Sequence, residues 1–263
     1  MAEPQAWRVR NERADDGAVI LGVDFTTTGR ADAGFSNLVE RVDTHYALWE
    51  TVAPEPGEEE GFTGGDYLDR WTDSLRQRDV EVAAVFGYCA SSVFALALAD
   101  RVGTWQRRPK VVLFDPTAIN GPNVLRYGFY KVVDALASVL SAEEVERARS
   151  AGQSATQATG DLVELTREFV RIYRDAGSTA FARLGLREDR VDELVAWFRS
   201  YLNYVVAAGQ VVVTPDPGAV TVIRSCDLPA GFLQATHELT FDIEHTGLLA
   251  HGAVADAVAE LLA

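Results

Sequence analysis

Phe86-Gly87-Tyr88-Cys89-Ala90-Ser91-Ser92 is the segment of this chain best placed to do chemistry. An apolar β-type run at 80–85 leads into it, and an alanine-rich helical run at 93–102 comes after it. Strand, glycine, nucleophile-type residue, small residue and helix is the layout of a nucleophile elbow. The turn is tight, so only small side chains fit around its central residue. That residue is presented at the carboxyl edge of a sheet, above the N-terminus of the next helix. The common form is G-x-S-x-G. Here G-x-C-x-S puts Cys89 in the serine position, so the chemistry expected is attack by a thiolate. A free cysteine elsewhere is often a small core thiol; the strand-turn-helix setting favours the nucleophile.

A thiol nucleophile needs a base, an orienter for that base, and donors for an oxyanion. The chain order expected with such an elbow is nucleophile, acid, histidine. Of the four histidines, His45 precedes the elbow, His237 lies ahead of the last expected strand, and His251 falls in the last helix. His245 falls between that strand and that helix, where a loop would carry it to the carboxyl edge. His245 is therefore the expected base, with His251 in reserve. Two aspartates end strands at this edge. Asp115 follows KVVLF and precedes Pro116, which favours extended geometry; Asp227 follows VTVIRSC. Aspartates at strand ends also serve turns and caps, and the residues alone leave Asp115 and Asp227 equal. The oxyanion donors expected are the N–H of Ala90 and one from the loop after the first strand, at Thr28. Cys226 closes a strand without a base pattern and reads as a structural core thiol. Gly64-Gly65 reads as a turn rather than a phosphate loop. No His/Cys spacing suits a metal, and no cofactor is expected.

The elements that must hold these residues alternate. Residues 18–25 (AVILGVDF) read as a buried strand, 33–42 as a helix, and 45–52 as a second strand. An acidic turn-rich loop at 54–65 precedes a helix at 66–78, with Tyr67, Leu68, Trp71 and Leu75 at helical spacing. The elbow strand, its helix and the strand at 110–114 come next. This β-α-β-α-β rhythm indicates a mostly parallel sheet with helices on both faces in one domain spanning 1–263, and with the elbow the layout resembles an α/β-hydrolase fold. After Asn120 the rhythm changes. Helix periodicity covers 124–140, 142–151, 162–175 and 189–208, and Ser141 with Glu144 forms a capping-box pattern. That much helix between two strands exceeds one crossover, so 120–210 reads as a helical lid insertion. Its many aromatic residues read mostly as helix core. The sheet resumes at 220–224, a last strand is expected at 239–243, and an amphipathic helix at 248–262 ends the chain.

The chain's 263 residues suit one large α/β domain, and 48% apolar content indicates a packed core. A formal charge of −15 argues against nucleic acid or an anionic membrane surface as partner. No run approaches the roughly 18 apolar residues of a membrane span. The first residues are polar and resemble no signal peptide, so a cytoplasmic location is expected. Two cysteines in such a protein do not suggest a disulfide. The basic cluster Arg107, Arg108 and Lys110 reads as a solvated loop.

Several segments together resemble the thioesterase domains and stand-alone thioesterases of non-ribosomal peptide and polyketide synthases. AVILGVDFTTTG is similar to their first strand and oxyanion loop, FGYCASS to the elbow, and VVLFDP to the strand carrying the acid. SYLNYVVAAGQVVV resembles the end of the lid, and EHTGLLAHGAVADAVAELL the histidine loop and last helix. The resemblance selects Asp115 as the acid and His245 as the base. It implies a thioesterase whose substrate is an acyl or peptidyl group on the phosphopantetheine of a carrier protein. Release would be by hydrolysis or cyclisation in natural-product biosynthesis. Two alternatives are an acyltransferase moving the group between carriers and a catalytically silent binding protein. The chain departs from the pattern at DFTTTG, where a proline- and glycine-containing loop is usual, and at Cys89. An acyl-cysteine is itself a thioester, so loading from pantetheine is close to thermoneutral, and the intermediate stays activated.

Overall fold

The computed structural model describes residues 6–11, 17–26, 32–78, 80–185, 187–214, 216–228, 233 and 235–263. They form two compact units, one of residues 1–53, 63–117 and 210–263, the other of 54–62 and 118–209.

The first unit is built on a seven-stranded sheet. Its strands are β1 (Trp7–Val9), β2 (Ala18–Val23), β3 (Ala47–Thr51), β4 (Glu81–Tyr88), β5 (Lys110–Phe114), β6 (Val220–Arg224) and β7 (His237–Thr240). Their spatial order is β1-β3-β2-β4-β5-β6-β7. Only the β1–β3 pairing is antiparallel. The central strands read as near-continuous apolar runs because both faces are covered. Side chains alternate across the sheet. Ile20, Ala84, Phe86, Val112, Phe114 and Ile223 pack with helices α1 (Phe35–Val39) and α9 (Gly252–Leu262) on one face. On the other lie α2 (Gly64–Arg78) and α3 (Ser92–Val102), where the Trp71 ring meets Phe94 edge-on at 5.2 Å.

Several features differ from the sequence expectations, beginning with helix ends: those expected at 33–42, 142–151 and 162–175 run over Phe35–Val39, Ala142–Ala158 and Leu162–Arg183. β1 was not expected: WRV is too short to show a period, and its pairing comes from β3, far along the chain. The last strand is at 237–240 rather than 239–243, and all four of its residues are exposed, so no alternation marks it. The helix expected at 124–140 is instead α4 (Gly121–Val124), a π-helical turn (Leu125–Phe129), α5 (Tyr130–Asp134) and a 3₁₀ turn (Ala135–Ser138). Buried Leu125, Phe129, Val133 and Leu136 keep helical spacing throughout, and the switch in backbone hydrogen bonding leaves no mark on that pattern. Cys226, expected to be a core thiol, is exposed, and both cysteines are free.

The second unit contains these short helices with α6 (Ala142–Ala158), α7 (Leu162–Arg183) and α8 (Glu188–Gly209). α6 opens on a capping box in which Ser141 and Glu144 bond each other's backbone N–H. Phe129 stacks on Phe169 at 4.6 Å, and Gly152 makes room for it: a Cβ there would lie 2.4 Å from the Phe129 ring. Part of the acidic loop belongs to this unit. Glu59 is buried and accepts bonds from Asn203 Nδ2 (3.2 Å) and Gly57 N (2.8 Å). None of the described helices is long and apolar enough to cross a membrane.

Candidate active site

Register delivers two of the site's residues together. Tyr88 and Phe114 are paired partners at the ends of β4 and β5, so Cys89 and Asp115 leave neighbouring parallel strands at the same level. Both then turn through the left-handed region, with φ of 52° at Cys89 and 48° at Asp115, so Asp115 does not take the extended geometry expected ahead of Pro116. They are the only non-glycine residues with positive φ among those described. Such a conformation costs on the order of 1–3 kcal/mol per residue, held by the surrounding structure.

At the elbow, Gly87 is required by space. A Cβ there would lie 2.6 Å from the Ala95 Cβ and 2.9 Å from the Ser92 Cα. This close approach lets α3 start directly beneath Cys89, through a 3₁₀ turn at Cys89–Ser91. Ala90 is thus the first residue past the thiol at the start of a helical run, where backbone N–H groups lack intrahelical partners. Thr28, expected to supply the second oxyanion donor, lies outside the described residues.

His245 opens a 3₁₀ turn (His245–Ala250) beyond β7. Two backbone bonds bring this loop back to the sheet: Phe241 N to Arg224 O (2.9 Å) and Cys226 N to Ile243 O (3.0 Å). His245 is 4% exposed, whereas His45, His237 and His251 are all exposed. His251 caps α9, its Nδ1 accepting from Ala253 N at 3.2 Å.

The buried imidazole of His245 meets Asp115. Its Nδ1 lies 2.7 Å from Asp115 Oδ2, and because an ionised carboxylate can only accept, Nδ1 carries the proton. The other Asp115 oxygen accepts Ser225 N at 2.8 Å, and the residue is fully buried. Cys89 acts on the same imidazole, and its neighbouring thiol is one of the groups that raise the His245 pKa. Burial alone would push the imidazole pKa down. The hydrogen bonds and charges of Asp115 and Cys89 outweigh it and raise the value from 6.5 to about 9.

The two aspartates that sequence could not separate have different tasks. Asp115 bonds the imidazole ring; Asp227 accepts the backbone N–H of His245 on Oδ1 at 2.8 Å. Two further partners carried no sequence signal. Thr117 places its hydroxyl 3.6 Å from Cys89 Sγ, donates it to the Asp115 carbonyl (3.1 Å), and gives its N–H to Cys89 O (3.4 Å). Tyr88 stacks against His245, with ring planes 6° apart and centroids 4.9 Å apart. Ala33, shortly before α1, donates its N–H to Thr246 O at 2.9 Å. The expected basic cluster is engaged elsewhere: Arg108 pairs with Asp100, and Lys110 bonds Leu261 O.

No protein-family model and no curated sequence matches the chain. Solved structures do. The Vlm2 thioesterase domain bound with a dodecadepsipeptide is 16% identical, with a TM-score of 0.55 over 98% of this chain and 96% of that one. The NocB thioesterase domain, in covalent complex with a fluorophosphonate nocardicin G analog, is 14% identical, with a TM-score of 0.54 over 97% and 99%. A four-domain nonribosomal peptide synthetase, holo-AB3403, is 11% identical with a TM-score of 0.61; this chain is covered over 98% of its length and matches 20% of that chain. With the parallel sheet and its elbow, these likenesses show an α/β-hydrolase fold.

Proposed function

We propose that this protein is a thioesterase acting on an acyl or peptidyl group carried as a phosphopantetheine thioester by a carrier protein. The observation that carries the reading is one buried imidazole bonded to Asp115 at 2.7 Å, with the elbow thiol Cys89 near enough to raise its pKa. In this reading Cys89 is the nucleophile, His245 the base and Asp115 the residue that orients it. The thiol passes its proton to His245 Nε2, and the thiolate–imidazolium pair is one in which each charge stabilises the other. The thiolate attacks the thioester carbonyl carbon, and the oxyanion is received by backbone N–H groups at Ala90 and in the loop containing Thr28. Collapse breaks the bond to the pantetheine sulfur, which leaves with the proton from His245. Water, or a hydroxyl or amine of the chain itself, then gives its proton to His245 as it attacks the acyl-Cys89. Cys89 departs as thiolate, and the product is a free acid or a ring. A thiolate nucleophile and two free cysteines suit a reducing, cytoplasmic setting.

One feature favours a second reading. Because the acyl-enzyme on Cys89 is a thioester, transfer to a second carrier's thiol is close to thermoneutral, and such a site could shuttle acyl groups between carriers.

The test is to incubate the protein with acyl-loaded carrier and track intact masses. Acyl-Cys89 succeeded by free acid or cyclised product supports the thioesterase, and label on a second carrier supports the shuttle. Absence of any adduct on Cys89 would sink both and leave a silent binding protein.

A further inference from the structure

We propose that Tyr88 is a positioning residue for the base. Its ring stacks on the imidazole of His245, and its hydroxyl ties down that residue's carbonyl, keeping the edge of the imidazole turned to Cys89. This inference rests on the reading of Cys89 and His245 as nucleophile and base.

The Tyr88 hydroxyl oxygen lies 3.0 Å from His245 Nε2 and 3.4 Å from Nδ1. No point in the imidazole plane is that near both nitrogens without striking a ring carbon, and the two rings are parallel within 6°. The oxygen therefore sits over the face of the imidazole, and neither in-plane nitrogen direction is taken by it. Nδ1 stays with Asp115, and Nε2 stays available to Cys89.

The hydroxyl has one proton, and its destination is set. Tyr88 Oη is 3.0 Å from the His245 carbonyl oxygen, which can only accept. With the proton directed there, the oxygen lone pairs face the imidazole. The negative end of a buried dipole over the ring favours the charged imidazole over the neutral one, and Tyr88 is only 1% exposed, so water screens little of it. The groups facing His245 are then Asp115 from the end of β5, Cys89 and Tyr88 from the end of β4, and Asp227 at its backbone N–H. Side chains pin both backbone polar groups of the base, Asp227 holding the N–H and Tyr88 the C=O. Because Tyr88 directly precedes Cys89, one strand end fixes the nucleophile and the orientation of its base together. A phenylalanine would fill the same hydrocarbon space but supply neither the dipole nor the donor.

The test uses the full chain carrying Cys226→Ser, so that Cys89 is the single thiol, and measures iodoacetamide alkylation by intact mass from pH 5 to 10. The parent is expected to alkylate well below the pH range of a free thiol, about 8.5, and His245→Ala to abolish that advantage. Tyr88→Phe keeps the ring and is expected to move the alkylation profile up by about half a pH unit or more, slowing the reaction at pH 6.5 at least threefold. Tyr88→Met, an apolar replacement in the same core, is the second variant and shifts the profile the same way. Thermal unfolding run alongside reports whether each variant is folded. If His245→Ala moves the profile and both folded Tyr88 variants leave it in place, this inference alone is wrong. If His245→Ala changes nothing, the pairing of Cys89 with His245 and this inference fall together.

Discussion

Replacing Asp115 with asparagine changes one atom and one charge, and both changes fall on the bond to the His245 imidazole that, under the proposed function, orients the base. Asp115 uses Oδ1 for the Ser225 N–H and Oδ2 for His245 Nδ1, at 2.8 and 2.7 Å. An asparagine keeps the first bond by placing its carbonyl oxygen there, which turns the amide NH2 toward His245. Nδ1 must then lose its proton to accept, and Nε2 must carry it. A protonated Nε2 cannot take the proton of Cys89. The charge supporting the imidazolium is lost as well: Asp115 is among the groups that, against the cost of burial, raise the imidazole pKa from 6.5 to about 9. Wrong tautomer and lost charge together predict a fall in the acylation rate on the order of 10³- to 10⁴-fold. Asp227→Asn is the control, because its side-chain oxygen can still accept the His245 N–H; its loss should stay within about tenfold. The assay is single-turnover acylation of Cys89 by an acyl-pantetheine thioester at pH 7.5, read by intact mass. Equal losses in the two variants would refute the division of labour between the aspartates.

Two further predictions concern stability. Gly87→Ala would force a methyl to 2.6 Å from Ala95 and 2.9 Å from the Ser92 backbone; overpacking of this kind should lower the unfolding free energy by about 1–3 kcal/mol in urea titrations. Second, His245 binds its proton more tightly folded than unfolded. Its contribution to stability is therefore full below about pH 6.5 and declines as pH rises toward about 9. Cys89→Ala removes the coupled thiol but keeps Asp115, so that variant should lose stability with rising pH across the lower part of this window. The additional change His245→Gln should flatten the decline, and an unchanged slope in urea titrations at several pH values would contradict the linkage.

Part of this protein is written locally. The strand, the small-residue turn at Gly87-Tyr88-Cys89-Ala90-Ser91 and the helix beyond it are contiguous, so steric demand and periodicity expose the elbow in the sequence itself. The same holds for the apolar runs of β2, β5 and β6, and for the capping box at Ser141, each a matter of neighbouring residues. Tertiary structure decided what joins distant residues. Asp115 and His245 lie 130 positions apart, and the sequence alone could not choose between Asp115 and Asp227, because both end parallel strands at one edge. Only the path of the chain after β7 decides which aspartate meets the ring and which the backbone N–H. Tyr88 next to the thiol carried no signal, since stacking on a residue 157 positions away has no local signature. β1 and the exposed Cys226 escaped for a related reason: edge pairing and solvent exposure are properties of assembled layers, not of the segment that takes part in them.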